Sequence, residues 1–255
     1  MKLADYISER RRQRDILLMT HIVIGYPSLS VSLELVDAMV EAGVDMMELQ
    51  IPFSEPIADG PVILHANQRA LQNGTKVNDC FEFAAKVTAR HSIPFLFMSY
   101  YNVVFRRGCA NFAERSVQAG VRGAIVPDCP PEEASEYISA MRAQNLAPVF
   151  IFSPRTPDSR LAMLGEAGDG FVYAVARKGV TGQDTEFSDE LAQYLARCRR
   201  ATKLPLAVGF GLKSPSDVDF LRGKADIAVV GTESLRLLEK SGVSSVAKFL
   251  STLRG

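Results

Sequence analysis

The 255 residues carry 29 basic and 29 acidic side chains, a formal net charge of zero, and are 47% hydrophobic and 23% charged. That balance suits an ordinary globular chain and supplies no global field to favour nucleic acid or a membrane surface. No apolar run reaches the roughly 20 residues that span a bilayer. The four cysteines (Cys80, Cys109, Cys129, Cys198) lack CxxC spacing and a nearby His pair, which argues against a metal site or disulfide framework and for buried thiols.

In chain order, the opening MKLADYISERRRQRD lacks the apolar core of a signal peptide, so the cytoplasm is the expected compartment. Leu3–Arg14 reads as a helix ahead of the first strand, placed to plug a barrel, with Glu9-Arg10-Arg11-Arg12-Gln13-Arg14 as its solvated face. Strands are predicted over Leu17–Ile24, Met46–Ile51, Pro94–Ser99, Ala124–Pro127, Pro148–Phe152, Phe171–Val175, Leu204–Val208 and Ile227–Val230. Helices are predicted over Val31–Ala42, Asn78–Arg90, Cys109–Ala119, Glu132–Gln144, Ser159–Glu166, Ser188–Arg200, Pro215–Arg222 and Ser244–Leu253. FLFMS, GAIVP and IAVVG are continuously apolar, as strands buried on both faces should be. Gly43, Gly120 and Gly168 each follow Glu-Ala or Gln-Ala and read as helix C-terminal stops.

This alternation predicts an α/β chain: a single (β/α)8 TIM barrel over 1–255 with an extra N-terminal helix. The first strand ends Ile24-Gly25-Tyr26-Pro27, not the glycine fingerprint of a doubly wound dinucleotide sheet. Barrel enzymes place their chemistry on loops at the strand C-termini. Glu48 interrupts the apolar second strand there. Pointing inward it would serve as a proton shuttle; facing solvent it would be an ordinary strand-end carboxylate. The loop behind it carries Glu55 and Asp59, stiffened by Pro52, Pro56 and Pro61. Glycine-bearing loops follow the last three strands (177–182, 209–211, 231–232). Such loops let backbone N–H groups approach a phosphate closely.

Met-Glu-Leu-Gln-Ile-Pro-Phe-Ser-Glu-Pro-Ile-Ala-Asp-Gly (47–60) resembles the signature of the tryptophan synthase α chain family at every position but Gln50, where Gly is usual. Further similarity follows at Ala66–Leu71, Tyr100–Asn102, Val126–Asp128, Arg177–Gly182 and 209–211. The resemblance implies retro-aldol cleavage of indole-3-glycerol phosphate to indole and glyceraldehyde 3-phosphate, without metal or cofactor. It makes Glu48 the proton shuttle and Asp59 the acceptor of the indole N–H. Tyr100, Ile125, Ile151, Tyr173, Thr181 and Phe210 are the implied indole walls. Gly182, Gly211, Gly231 and Thr232 are the implied phosphate contacts. Pro52, Glu55, Pro56, Asn102, Phe105 and Pro130 match positions in or beside the contact with a β chain, in an αββα complex. Arg177 is expected to reach a loop carboxylate such as Asp59, to help close the site, or to be a solvated loop residue.

Two departures fall beside the chemistry. Gln50 is expected to crowd the substrate or hydrogen-bond Glu48. His21 stands where the family places an aromatic residue facing the indole. It reads either as a hydrogen-bonded wall residue or as a determinant of altered substrate choice. Two alternatives therefore accompany the lyase: a divergent barrel that binds ligand mainly to activate a β chain, and an enzyme for a different phosphorylated substrate.

Overall fold

The computed structural model describes residues 2–175, 189–209 and 211–254. Its nine strands, counted among the described residues, are all parallel: β1 (Leu17–Val23), β2 (Met46–Gln50), β3 (Phe95–Met98), β4 (Gly123–Ile125), β5 (Ala147–Val149), β6 (Ile151–Phe152), β7 (Val172–Val175), β8 (Leu206–Gly209) and β9 (Ile227–Val230). The sheet runs β5-β4-β3-β2-β1-β9-β8-β7-β6. Its two ends, β5 and β6, are consecutive pieces of one segment, so the sheet curls into a nearly closed barrel.

The fifth predicted strand is thus divided, and Pro148 explains where. In a parallel ladder a residue's N–H and C=O face the same neighbour. The Pro148 carbonyl faces the β7 side and accepts from Asp169 N at 3.0 Å. Pro148 has no N–H to continue on that side. The ladder to β7 therefore starts only at Ile151, opposite Tyr173.

Helices separate the strands as predicted, with ends shifted by a few residues. The segment expected to be helical from Glu132 begins at Ser135 instead. Three described helices were not foreseen: Pro61–Gln72, Tyr101–Arg107 and Thr232–Ser241. The first carries Pro at its N-terminal position, a start signal that the stiff-loop reading obscured. Gly43 and Gly120 adopt positive φ (89° and 75°) just past their helices. Gly168 does not: it is extended at φ −78°.

Alternation divides the core in two. Outward residues such as Leu18, Ile22, Met47 and Leu49 pack under the helices. Inward residues such as Leu17, Met19, Met46, Leu96 and Val229 fill the barrel. Leu3 and Ile7 of the first helix (α1, Leu3–Arg11) join this inner core and close the barrel's N-terminal end. Parity places Glu48 and Gln50 inward above Met46.

The basic run is not simply a solvated face. Glu9, Arg12 and Gln13 are exposed, but Arg10 and Arg14 reach Asp45 at 2.9 and 3.1 Å, and Arg11 reaches Asp226 at 3.3 Å. The Asp45 side chain is fully buried. It also receives Arg254 from the last helix and the Leu18 N–H at 2.9 Å. One carboxylate therefore ties both chain ends to the base of β1 and β2. Removing its charge strands three guanidinium groups whose outer ends still reach water. Asp45→Asn is expected to lower unfolding free energy by about 2–4 kcal/mol in urea titration, towards the low end for a broken buried pair. A loss below about 0.5 kcal/mol would mean the cluster is an ordinary surface network.

Candidate active site

At the other end of the barrel, parallel pairing sets His21 opposite Glu48 and Val23 opposite Gln50. His21 and Glu48 are both buried, 5% and 2% exposed. His21 Nδ1 lies 2.9 Å from Glu48 Oε2. Glu48 Oε1 and His21 Nε2 are buried with no hydrogen-bond partner among the described residues. An unsatisfied buried polar atom costs about 1–3 kcal/mol, which makes these two atoms candidates for ligand contact.

Asp59 arrives on the loop after β2. Asn67 anchors that loop: its Oδ1 accepts from Phe53 N at 2.9 Å while its Nδ2 donates to Ile63 O at 2.8 Å. Tyr100 stacks on Phe53 with ring centroids 5.2 Å apart. Its hydroxyl accepts from Ala58 N and donates to Asp59 Oδ2, each at 3.1 Å. The Gln50 amide donates to the same Oδ2 at 2.7 Å. Among the described residues both of these bonds fall on one oxygen, leaving Oδ1 open. Gln50 therefore holds Asp59 instead of Glu48. It is also fully buried outside the cavity wall, so it does not crowd the space a substrate would take.

The pair perturbs its neighbours. Burial raises the Asp59 pKa above 3.8, partly offset by the His21 charge and the Gln50 and Tyr100 hydrogen bonds. For His21, burial pulls the imidazole down, but the hydrogen bond to Glu48 and the charges of Glu48 and Asp59 together hold it above 6.5. Burial, then the same two carboxylates, raises the Tyr173 phenol well above its usual value.

His21, Glu48 and Asp59 open into a cavity of about 440 Å³, within the range for small-molecule sites. Of the expected walls, Ile125, Ile151 and Tyr173 line it. Tyr100 does not: it lies behind Asp59 as a support. Thr181, Phe210, Gly182 and Arg177 lie outside the described residues. Gly211, Gly231 and Thr232 line the cavity, with Gly231 and Thr232 at the N-terminus of the ten-residue helix Thr232–Ser241. Glu55, Asn102, Phe105 and Pro130 are exposed, whereas Pro52 and Pro56 are buried and shape the loop from within.

Sequence reasoning missed part of the lining. Met98 and Val229 were hidden among core residues, although inward parity at a strand's C-terminal end marks both. Arg155, Lys213 and Arg236 bring positive charge to the cavity, accompanied by Glu233, which pairs with Arg236 at 3.5 Å. Lys213, two residues past Gly211, was the most accessible of these to sequence inspection.

Residues 7–252 match the family model described as tryptophan synthase alpha chain. The tryptophan synthase alpha chain of Desulforapulum autotrophicum is 59% identical over 98% of this chain and 99% of its own. That of Syntrophotalea carbinolica is 57% identical over 97% and 98%. Among solved structures, a Mycobacterium tuberculosis tryptophan synthase superposes with TM-score 0.93 at 30% identity, covering 99% of this chain and 96% of that one. A tryptophan synthase complex from Pyrococcus furiosus gives 0.85 at 31%, covering 93% and 97%.

Gly209 tests how tightly the cavity is built. A Cβ there would sit 2.6 Å from the Tyr173 hydroxyl. Gly209→Ala should destabilise the fold by about 1–3 kcal/mol through overpacking. In a Tyr173→Phe background that loss should shrink, because the closest clashing atom is gone. Equal losses in both backgrounds, measured by urea titration, would show that the ring carbons at 2.8 and 3.0 Å, and not the hydroxyl, set the limit.

Proposed function

The chain belongs to the tryptophan synthase α chain family, whose reaction is the aldol-type cleavage of indole-3-glycerol phosphate, and we propose that Glu48 and Asp59 divide that reaction between them. The observation that carries this division is geometric. Two carboxylates face one cavity, and among the described residues each has one oxygen held by protein and the other left open. Cleavage needs one proton added at indole C3 and one removed from the glycerol hydroxyl on the adjoining carbon. As that hydroxyl loses its proton, its carbonyl forms, the bond to C3 breaks, and the electron pair returns to the ring. Glu48 delivers the first proton and collects the second, so the enzyme ends as it began. Asp59, ionised, accepts the indole N–H through its open oxygen and stabilises the positive ring formed when C3 is protonated.

The remaining lining fits the rest of the substrate. Ile125, Ile151 and Tyr173, with Met98 and Val229, form the apolar walls for indole. The phosphate belongs at Gly211, Gly231 and Thr232, where a helix N-terminus and the Thr232 hydroxyl favour an anion. Gly182 joins them in this reading, as Thr181 and Phe210 join the indole pocket. Arg155, Lys213 and Arg236 add positive field.

The tryptophan synthase complexes among the solved relatives favour a β chain as partner in an αββα assembly. The docking face is the rim after β2 and β3. Phe105 and Ile57 are 69% and 72% exposed there, beside Glu55, Asn102 and Pro130. An apolar rim of that kind favours association. Residues 1–255 act as one domain in the cytoplasm, a setting that accords with a biosynthetic role and with the lack of a membrane-length apolar helix among the described residues.

The test is indole release from indole-3-glycerol phosphate, with and without a β chain. Wild type should release indole. Glu48→Gln should lose at least about a hundredfold in turnover, as removal of a general acid–base does. It should still bind inorganic phosphate and substrate almost normally. Loss of binding in step with turnover would assign Glu48 a structural role instead.

A further inference from the structure

His21 lies at the reacting end beside Glu48, and its geometry goes beyond a wall residue. β1 and β2 set it opposite Glu48 in register, with both side chains inward. Nδ1 is committed to Glu48 Oε2 at 2.9 Å. Nε2 is buried and unpartnered among the described residues, on a side chain that lines the cavity. The groups facing the imidazole come from several elements. Glu48 and Gln50 lie on β2, Asp59 on the following loop and Tyr173 on β7. After β9, Gly231 brings no side chain, and a Cβ added there would lie 3.5 Å from His21 Cβ. Glu233 and Arg236, paired with each other, line the same cavity. Carboxylates therefore dominate the imidazole's surroundings.

We propose that His21 and Glu48 form one proton-carrying dyad, in which His21 is a positioning residue that orients Glu48 and stores the proton Glu48 delivers. The proposal rests on the proton-shuttle reading of Glu48. In the resting dyad the imidazolium Nδ1–H is bonded to the carboxylate Oε2. That proton passes to Oε2. Rotation about the Cγ–Cδ bond of Glu48, a broad torsion, then carries it to the substrate, where it protonates C3. The proton leaving the glycerol hydroxyl as the carbon–carbon bond breaks returns to the carboxylate and then to Nδ1. One proton enters the substrate and one leaves, so the dyad is restored. Nε2–H remains free to donate to a glycerol oxygen.

The dyad is competent only while it holds that proton. Because the neighbouring carboxylates raise His21, kcat/KM should fall as pH rises through the His21 pKa, above 6.5. His21→Phe, which supplies an aromatic ring of similar shape, should lose about tenfold or more in kcat/KM at neutral pH. Its high-pH limb should move away from the wild-type position, because the imidazole that stores the proton is gone. A second measurement needs no His21 variant. The chain has three histidines, and NMR titration should find His21 above 6.5 in wild type and clearly lowered in Glu48→Gln, where burial is opposed only by Asp59 and Gln50.

An unmoved limb in His21→Phe, or a His21 titration indifferent to Glu48→Gln, overturns the dyad. If Glu48→Gln is inactive while either result is seen, only the dyad fails. If Glu48→Gln retains turnover, the shuttle reading fails and takes the dyad with it.

Discussion

A carboxylate can be buried in a barrel interior only if something replaces the water it loses. Glu48 meets that demand through His21 and Asp59 through Gln50 and Tyr100, and in both cases the partners occupy a single oxygen. Most of the local architecture serves this arrangement. The β1–β2 register brings His21 to Glu48, and strand parity turns Gln50 inward below the loop. Asn67 and the stacked Phe53–Tyr100 pair then hold that loop over the barrel mouth. Without such supports, a charged loop over an apolar cavity would pull its carboxylates out into solvent.

The two ends of the barrel solve different problems. At the N-terminal end, Asp45 has all its prominent partners inside the protein, and the result is attachment of α1 and the last helix. At the C-terminal end, Glu48 and Asp59 each have one oxygen without a protein partner among the described residues, facing the cavity. The same residue type thus supports stability at one face and the proposed chemistry at the other. The strand scaffold keeps the two apart, as in other barrels of this class.

Much of this was legible in the sequence. Continuous apolar runs marked the strands, and the interruption by Glu48 marked a carboxylate that lines the cavity. The unforeseen features depend on contacts distant in sequence. Arg10 and Arg14 read as solvated because their partner, Asp45, lies more than thirty residues away. Gln50 was expected to meet Glu48 on its own strand, but a loop folding back over the strand brings Asp59 closer. Tyr100 was a pocket wall by resemblance, yet its hydroxyl is taken by Ala58 and Asp59 behind the cavity. The division of the fifth strand was visible in principle in Pro148, but only the carbonyl's direction shows which neighbour loses its bond.

The central claim is that the open oxygen of each carboxylate faces the reacting ring. A crystal structure of the Glu48→Gln enzyme holding intact indole-3-glycerol phosphate tests it most directly. The account predicts the indole nitrogen within hydrogen-bond distance of Asp59 Oδ1, with Oδ2 still held by Gln50 and Tyr100. It also predicts indole C3 beside the residue-48 side chain and the phosphate at Gly211, Gly231 and Thr232. An indole ring turned so that its nitrogen faces away from Asp59, with the phosphate still at those residues, would contradict it.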